Sequence, residues 1–411
     1  MDEVVVRYGG IYVISIILLY LLFKRFLYSI LDPLVQFLLV FASLIAFSSD
    51  HILVIYILVS IFSFWLGMYT IFPESSIKRN FSPVLVENIL NLRLYTYFLF
   101  ILYTLSSIYV FSKSGIPLFS DNPSESKISI YDGMGILRRF SFIGSIIPIN
   151  LLILIFVSKK KKSCILLLVL FCLLKIFQGS KSSLLGIIFP LYYLSTQVNL
   201  LPQNHISLKK GKKMIFLLGI IVLFILGYIV SKESEMEGED FIYSLGFRLM
   251  EFGDAALYYK IDYVRSYFDD FNFLDYICDE LNGILGMLRI VPYKYPLGFM
   301  MVEQYLGYTP DTVVGPNGIF IIKGHIYFGY VGGILYSFIC GLIFAKIRKY
   351  YFQMRIIDIF WYALMTTIFF SLNGFLRESA SFYSLLFDVF FYTMPFLFIS
   401  QCLTKYYGKK V

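Results

Sequence analysis

The chain has 411 residues, of which 58% are hydrophobic and only 15% charged, and its mean hydropathy is +0.75. A soluble domain is roughly 45–50% apolar and about 25% charged, so this composition excludes a cytosolic enzyme, a disordered chain and a nucleic-acid-binding domain. The net charge of +8 does not change that, because the Lys and Arg are concentrated in short segments between apolar runs. The runs are continuous rather than alternating, which argues against a β-barrel.

A helix needs about 20 apolar residues to cross a bilayer, sometimes as few as about 17. In chain order the runs fall near 8–23, 34–47, 52–72, 94–112, 140–157, 163–177, 184–200, 214–231, 318–345, 356–373 and 380–401. The expectation is an all-α polytopic membrane protein of one integral membrane domain, 1–411, with about 11 (10–12) transmembrane helices. The first run lacks a small-residue cleavage site and leads into Lys24-Arg25, so it reads as a membrane helix rather than a cleaved leader. The second is short and is expected to begin nearer Phe26. The ninth is long, so it is expected to tilt or to start as a surface helix.

The connecting segments alternate in charge. Segments 24–33, 73–93, 158–162, 201–213, 346–355 and 402–411 are rich in Lys and Arg, including the run Lys159 to Lys162. Segments 1–7, 48–51, 113–139, 178–183, 232–317 and 374–379 hold most of the acids. Positive segments mark the cytoplasmic side, which places the N-terminus outside and the C-terminus inside. The long loops, 113–139 and 232–317, then both face out. The short inner loops leave no room for an ATP-binding domain, and no phosphate-loop motif occurs. The larger outer loop opens acidic, from Glu233 to Asp240, then shows apolar residues at helical spacing: Ile242, Leu245, Leu249, Ala256 and Tyr259. Residues 284–302 are apolar but broken by Pro292 and Pro296. The picture is of amphipathic helices on the membrane surface that cap a cavity. There is no internal repeat to support an inverted-repeat transporter.

Basic residues on the outer side stand out, because they oppose the topology bias: Arg138, Arg139, Lys181, Arg248, Arg289, Lys323 and Arg377. Guanidinium groups bind phosphate oxygens in pairs, so these residues are candidates for an anionic headgroup such as a lipid pyrophosphate. The plain alternative for each is interfacial snorkelling, and for Arg248 a local pair with Glu251 three residues on. His325 could act as a general base, or simply bridge helices. Glu251, Asp254, Glu303, Asp311 and Glu378 are alternative bases. Asp269-Asp270 is a weak metal signal, and no His/Cys/Asp cluster has ligand spacing. The five Cys form no CxxC pair and read as packing residues. Lys175 and Asp388 are charges placed within one or two turns of a span end, where a buried ionisable group is costly.

Four segments resemble the bacterial O-antigen polymerases, the Wzy-type oligosaccharide repeat-unit polymerases. They are Leu31-Asp32-Pro33-Leu34, Gln178-Gly179-Ser180-Lys181-Ser182-Ser183, Phe247-Arg248-Leu249-Met250-Glu251, and Gly315-Pro316-Asn317-Gly318 followed by Gly324-His325-Ile326-Tyr327-Phe328-Gly329-Tyr330-Val331-Gly332-Gly333. Lys181 stands where the family often has Arg. The resemblance implies a membrane-embedded, metal-independent glycosyltransferase of the bacterial inner membrane, with no cofactor. It would act at the periplasmic face on undecaprenyl-pyrophosphate-linked oligosaccharides, moving the growing chain to the non-reducing end of the incoming unit. Its partners would be those lipid-linked units, membrane lipid and a polysaccharide chain-length regulator. Arg138, Arg139, Lys181, Arg289, Lys323 and Arg377 would bind substrate. Arg248, with His325 or Glu251 as base, would be catalytic. Tyr305 and Tyr308 could stack on sugars. An O-antigen ligase and a lipid-linked oligosaccharide flippase are the rival readings. A flippase needs charges buried along several helices, which the apolar spans do not suggest.

Overall fold

The computed structural model describes residues 2–28, 32–72, 89–120, 143–157, 161–179, 250–292, 294–310, 315–353 and 358–407, with single residues between these stretches. Among the described residues the regular elements are helices, with no strand. Among the described residues six segments are long and apolar enough to cross a membrane: Tyr8–Phe26, His51–Ile71, Ile89–Phe119, Phe320–Phe352, Ile359–Arg377 and Ser379–Ile399. Pro33–Phe47 and Ile143–Val157 are shorter apolar helices. The chain is thus a multi-pass helical membrane protein. The expected spans at 184–200 and 214–231 fall largely outside the described residues.

The chain forms two compact units. The first comprises Met1–Arg79, Phe224–Gln353 and Ser371–Tyr383. Its helices are α1 (Asp2–Phe23), α2 (Pro33–Phe47) and α3 (His51–Ile71). The described part of the expected outer loop adds α7 (Ala255–Tyr259), α8 (Asp262–Ser266), α9 (Phe273–Met287) and α10 (Leu297–Leu306). The long helix α11 (Phe320–Phe352) follows. The second unit comprises Asn80–Leu223, Met354–Phe370 and Ser384–Val411. It contains α4 (Ile89–Ser114), α5 (Ile146–Val157) and α6 (Lys161–Phe177). The last two helices, α12 (Ile359–Arg377) and α13 (Ser379–Tyr407), contribute to both units.

In the first unit α2 is the central helix, with Leu34, Phe37, Phe41, Leu44 and Phe47 buried. It does not begin near Phe26. A 3-10 turn spans Lys24–Phe26, and Asp32 caps α2 by accepting from the Leu34 amide at 2.9 Å, with Pro33 at the first helical position. An Asp-Pro pair is a strong helix start, which explains why the second apolar run stays at 15 residues. Helices α3 and α11 pack closely through glycine. A side chain at Gly67 would meet the Phe338 carbonyl, and one at Gly341 the Phe64 carbonyl. Small residues permit such approaches between membrane helices.

The long α11 is bent. Gly329 has φ 67° and ψ −169°, a conformation open to glycine and strained for other residues. Gly324 therefore lies against Gly333 and Tyr336, which a straight helix would hold well apart. The length of the ninth apolar run reflects a short limb, 320–328, folded back on a longer one, 330–352.

The two ends of the first unit gather different segments. At one end Asp50, which caps α3, pairs with Arg265 at 3.0 Å. The 250–254 segment packs on Ser43 and Leu44, and the short limb of α11 lies beside Tyr259 and Ser379. At the other end Arg348 meets Asp32 and Phe26, while Arg25 donates to the Phe72 carbonyl. Described residues of 48–51, 250–310 and 374–379 thus gather at one end of this unit, and Phe26, Asp32 and Arg348 at the other.

In the second unit every residue of α5 is buried. Tyr95 on α4 bonds Thr393 at 2.7 Å, and Tyr103 donates to Gln178 at 3.1 Å. The Lys175 ammonium lies 5.0 Å from the Tyr103 ring centroid, a cation–π contact inside the protein.

Candidate functional site

The end of the first unit that holds the 250–317 segment carries three polar groups. The first centres on His325, on the short limb of α11. Its Nδ1 lies 2.5 Å from the Tyr259 hydroxyl of α7. The rings of Tyr56, Tyr259 and Tyr330 surround it, with centroids at 5.0, 5.5 and 4.2 Å. Nε2 is buried and has no hydrogen-bond partner among the described residues. In the tautomer protonated on Nδ1, that N–H donates to Tyr259 and Nε2 keeps a lone pair able to take a proton.

The second group surrounds Lys323, two residues before His325 on the same limb. Its ammonium is fully buried and lies 2.9 Å from Asp279, 3.2 Å from Glu280 and 3.2 Å from Glu378. The Ser379 hydroxyl donates to Glu280 Oε1 at 2.5 Å, and the Gly318 amide to Glu378 Oε2 at 2.9 Å. Burial holds the Glu280 carboxyl above the usual carboxylate range, with Asp279 and Lys323 pulling in opposite directions. Since three carboxylates already enclose the ammonium, Lys323 presents no free positive charge to a phosphate.

The third group lies before α7 and at the end of α12. The Arg377 guanidinium sits 4.8 Å over the Phe252 ring. Asp254 is pushed up to about 7, first by burial and then by the charge of Glu251, with Arg377 opposing. Glu251 is exposed and Arg377 half-buried. A cation and a carboxylate near neutrality are thus available together.

Beside the Lys323 group lies a cavity of about 370 Å³. Its walls are apolar and aromatic, among them Phe273, Phe328, Leu335 and Phe375. Tyr276 and Tyr336, whose hydroxyls lie 3.2 Å apart, also line it.

The structure therefore brings His325, Glu251, Lys323 and Arg377 to one end of one unit. Arg289 is apart from them, exposed on the turn after α9 with a left-handed φ of 55°. Arg139 belongs to the second unit, where it pairs with buried Asp388 at 3.4 Å. Arg138, Lys181 and Arg248 lie outside the described residues. Asp269 and Asp270 are exposed, and among the described residues no group of three His, Cys, Asp or Glu could hold a metal ion. Sequence reasoning did not single out Asp279, Glu280 or the role of Tyr259. The signal for the first two was there: Tyr276, Glu280 and Gly283 fall on one face of an amphipathic helix, so the acids point to the core side. The buried ion pairs also change the expectation of nearly uncharged spans.

No family model, curated protein or solved structure matches the chain.

Proposed function

We propose that the chain is a membrane-embedded glycosyltransferase that polymerises undecaprenyl-pyrophosphate-linked oligosaccharide units into O-antigen or a similar surface polysaccharide at the periplasmic face of the inner membrane. The observation that carries this reading is the conjunction of a proton acceptor, a cation and an apolar cavity at one end of a membrane unit. A lipid-linked sugar needs all three. The cavity suits a hydrocarbon chain. Arg377, with Arg248 in the segment leading to Glu251, meets the negative charge that develops on the leaving pyrophosphate. His325 Nε2 takes the proton of the acceptor hydroxyl, with Tyr259 fixing the ring; Glu251 is the alternative base. The bilayer confines both substrates in two dimensions, which raises their encounter frequency. The pyrophosphate is an activated leaving group, so the reaction needs no ATP.

The buried ion pairs favour a second reading, a lipid-linked oligosaccharide flippase, since charges along several helices are what a polar headgroup crossing the membrane requires. Deleting the gene in its own host, then resolving the surface polysaccharide on a gel, separates these. A polymerase predicts loss of the ladder with a single repeat unit still attached to lipid A core. Loss of all attached sugar indicates a ligase or a flippase. Lipid-linked units would then gather on the outer leaflet for the ligase and the inner for the flippase. An unchanged ladder contradicts the proposal.

A further inference from the structure

The Lys323 group is out of charge balance. One ammonium faces three carboxylates: it donates to Glu280, Glu378 and the Ser379 hydroxyl, and Asp279 lies 2.9 Å away as a charge contact. Arg377 also faces Glu378, but it is shared with Asp254. Glu280 is 3% exposed. Its Oε1 accepts from both Lys323 and Ser379, whereas Oε2, like Asp279 Oδ2, is buried without a hydrogen-bond partner among the described residues. The other titratable side chains around it, Tyr276, Tyr327, Tyr336, Tyr383 and Cys340, are neutral and add no positive charge. An ionised carboxylate with one bare oxygen in a dry, net-negative setting is costly, and a shared group of acids relieves this by keeping one of them protonated.

We infer that this group is a proton-binding site, in which Glu280 holds one exchangeable proton on Oε2 and Glu378 connects it to water. Glu378 is suited to that second role because its side chain is 25% exposed while it shares Lys323 with Glu280. The ligand is a single proton, and binding it removes one negative charge from beside the apolar cavity. The assignment does not depend on which substrate the protein handles.

The test is infrared spectroscopy of the full chain in lipid nanodiscs, titrated from acid to alkaline buffer. The wild type is expected to show the C=O stretch of a protonated carboxyl at neutral pH, and the Glu280→Gln variant to lose that component. Asp254→Asn, which removes the carboxyl pushed up to about 7, is expected to retain it. Should Glu280→Gln fail to fold, Asp279→Asn serves instead. It removes a repelling charge, so the same band is expected to titrate at lower pH. The inference is overturned if the Glu280→Gln spectrum keeps the full band, or if Asp279→Asn leaves the titration unmoved. It is equally overturned if the band is absent and sodium, rather than acid, stabilises the protein.

Discussion

Arg348 and Lys323 lie towards opposite ends of α11, and both are fully buried, but they are balanced differently. Arg348 faces one carboxylate, Asp32, in a bidentate pair at 2.5 and 2.8 Å, and its second nitrogen also donates to the Phe26 carbonyl at 2.7 Å. Asp32 in turn accepts from the Tyr28 and Leu34 amides. Charge balances one to one here, so the pair works as a staple that joins the start of α2 to the end of α11. Lys323 faces three carboxylates, and an oxygen on each of two, Asp279 and Glu280, has no hydrogen-bond partner among the described residues. A buried ion pair that closes is an architectural device, whereas one that does not must change its protonation or bind something. The sequence motif Leu31-Asp32-Pro33-Leu34 belongs to the first kind, although it was one of the segments carrying the family resemblance.

Breaking the balanced end has the largest expected effect. Arg348→Ala leaves Asp32 buried and unpaired, which costs about 3–5 kcal/mol, and is expected to lower the melting temperature most at neutral pH, where that single carboxylate is ionised. Removing Asp32 as well recovers part of that loss. At the unbalanced end Lys323→Met is expected to cost about 2–4 kcal/mol at neutral pH and markedly less in acid, because the three acids can then take up protons. Equal pH sensitivity in the two variants would erase the contrast between the ends.

Asp254 gives a smaller and purely pH-dependent effect. Its folded value of about 7 lies above the ordinary 3.8, so the folded state favours the protonated form. The stability from this group is complete below pH 3.8 and is lost as pH rises through about 7. Asp254→Asn is expected to flatten that slope and to gain ~2 kcal/mol above it, read from melting curves across the pH range. The smallest structural effect is that of Tyr259→Phe, which removes one hydrogen bond to His325 and is expected to cost about 1 kcal/mol. Its effect on polysaccharide length should exceed its effect on stability, because the hydroxyl also fixes the imidazole.

Apolar run lengths carried most of the fold. Runs such as 52–72 and 94–112 became α3 and α4 because a bilayer demands unbroken apolar stretches. Two boundaries were less legible. Asp32-Pro33 ended the extension of α2 toward Phe26, and Gly329 bent a helix that hydropathy alone draws as continuous. Of the candidate site, Arg377 was legible as a basic residue against the topology bias, and His325 and Glu251 as candidate bases. The pairings were not, since Lys323 meets Glu280 from 43 residues away and Arg139 meets Asp388 from 249. Charge on a single sequence announces a cost and leaves its partner unnamed.

The most direct measurement is complementation of the gene deletion with His325→Gln, with its membrane level matched to wild type. The account predicts that the polysaccharide ladder collapses to single repeat units while the protein melts within a few degrees of wild type. A ladder of wild-type length from that variant would contradict the placement of the working site at the short limb of α11.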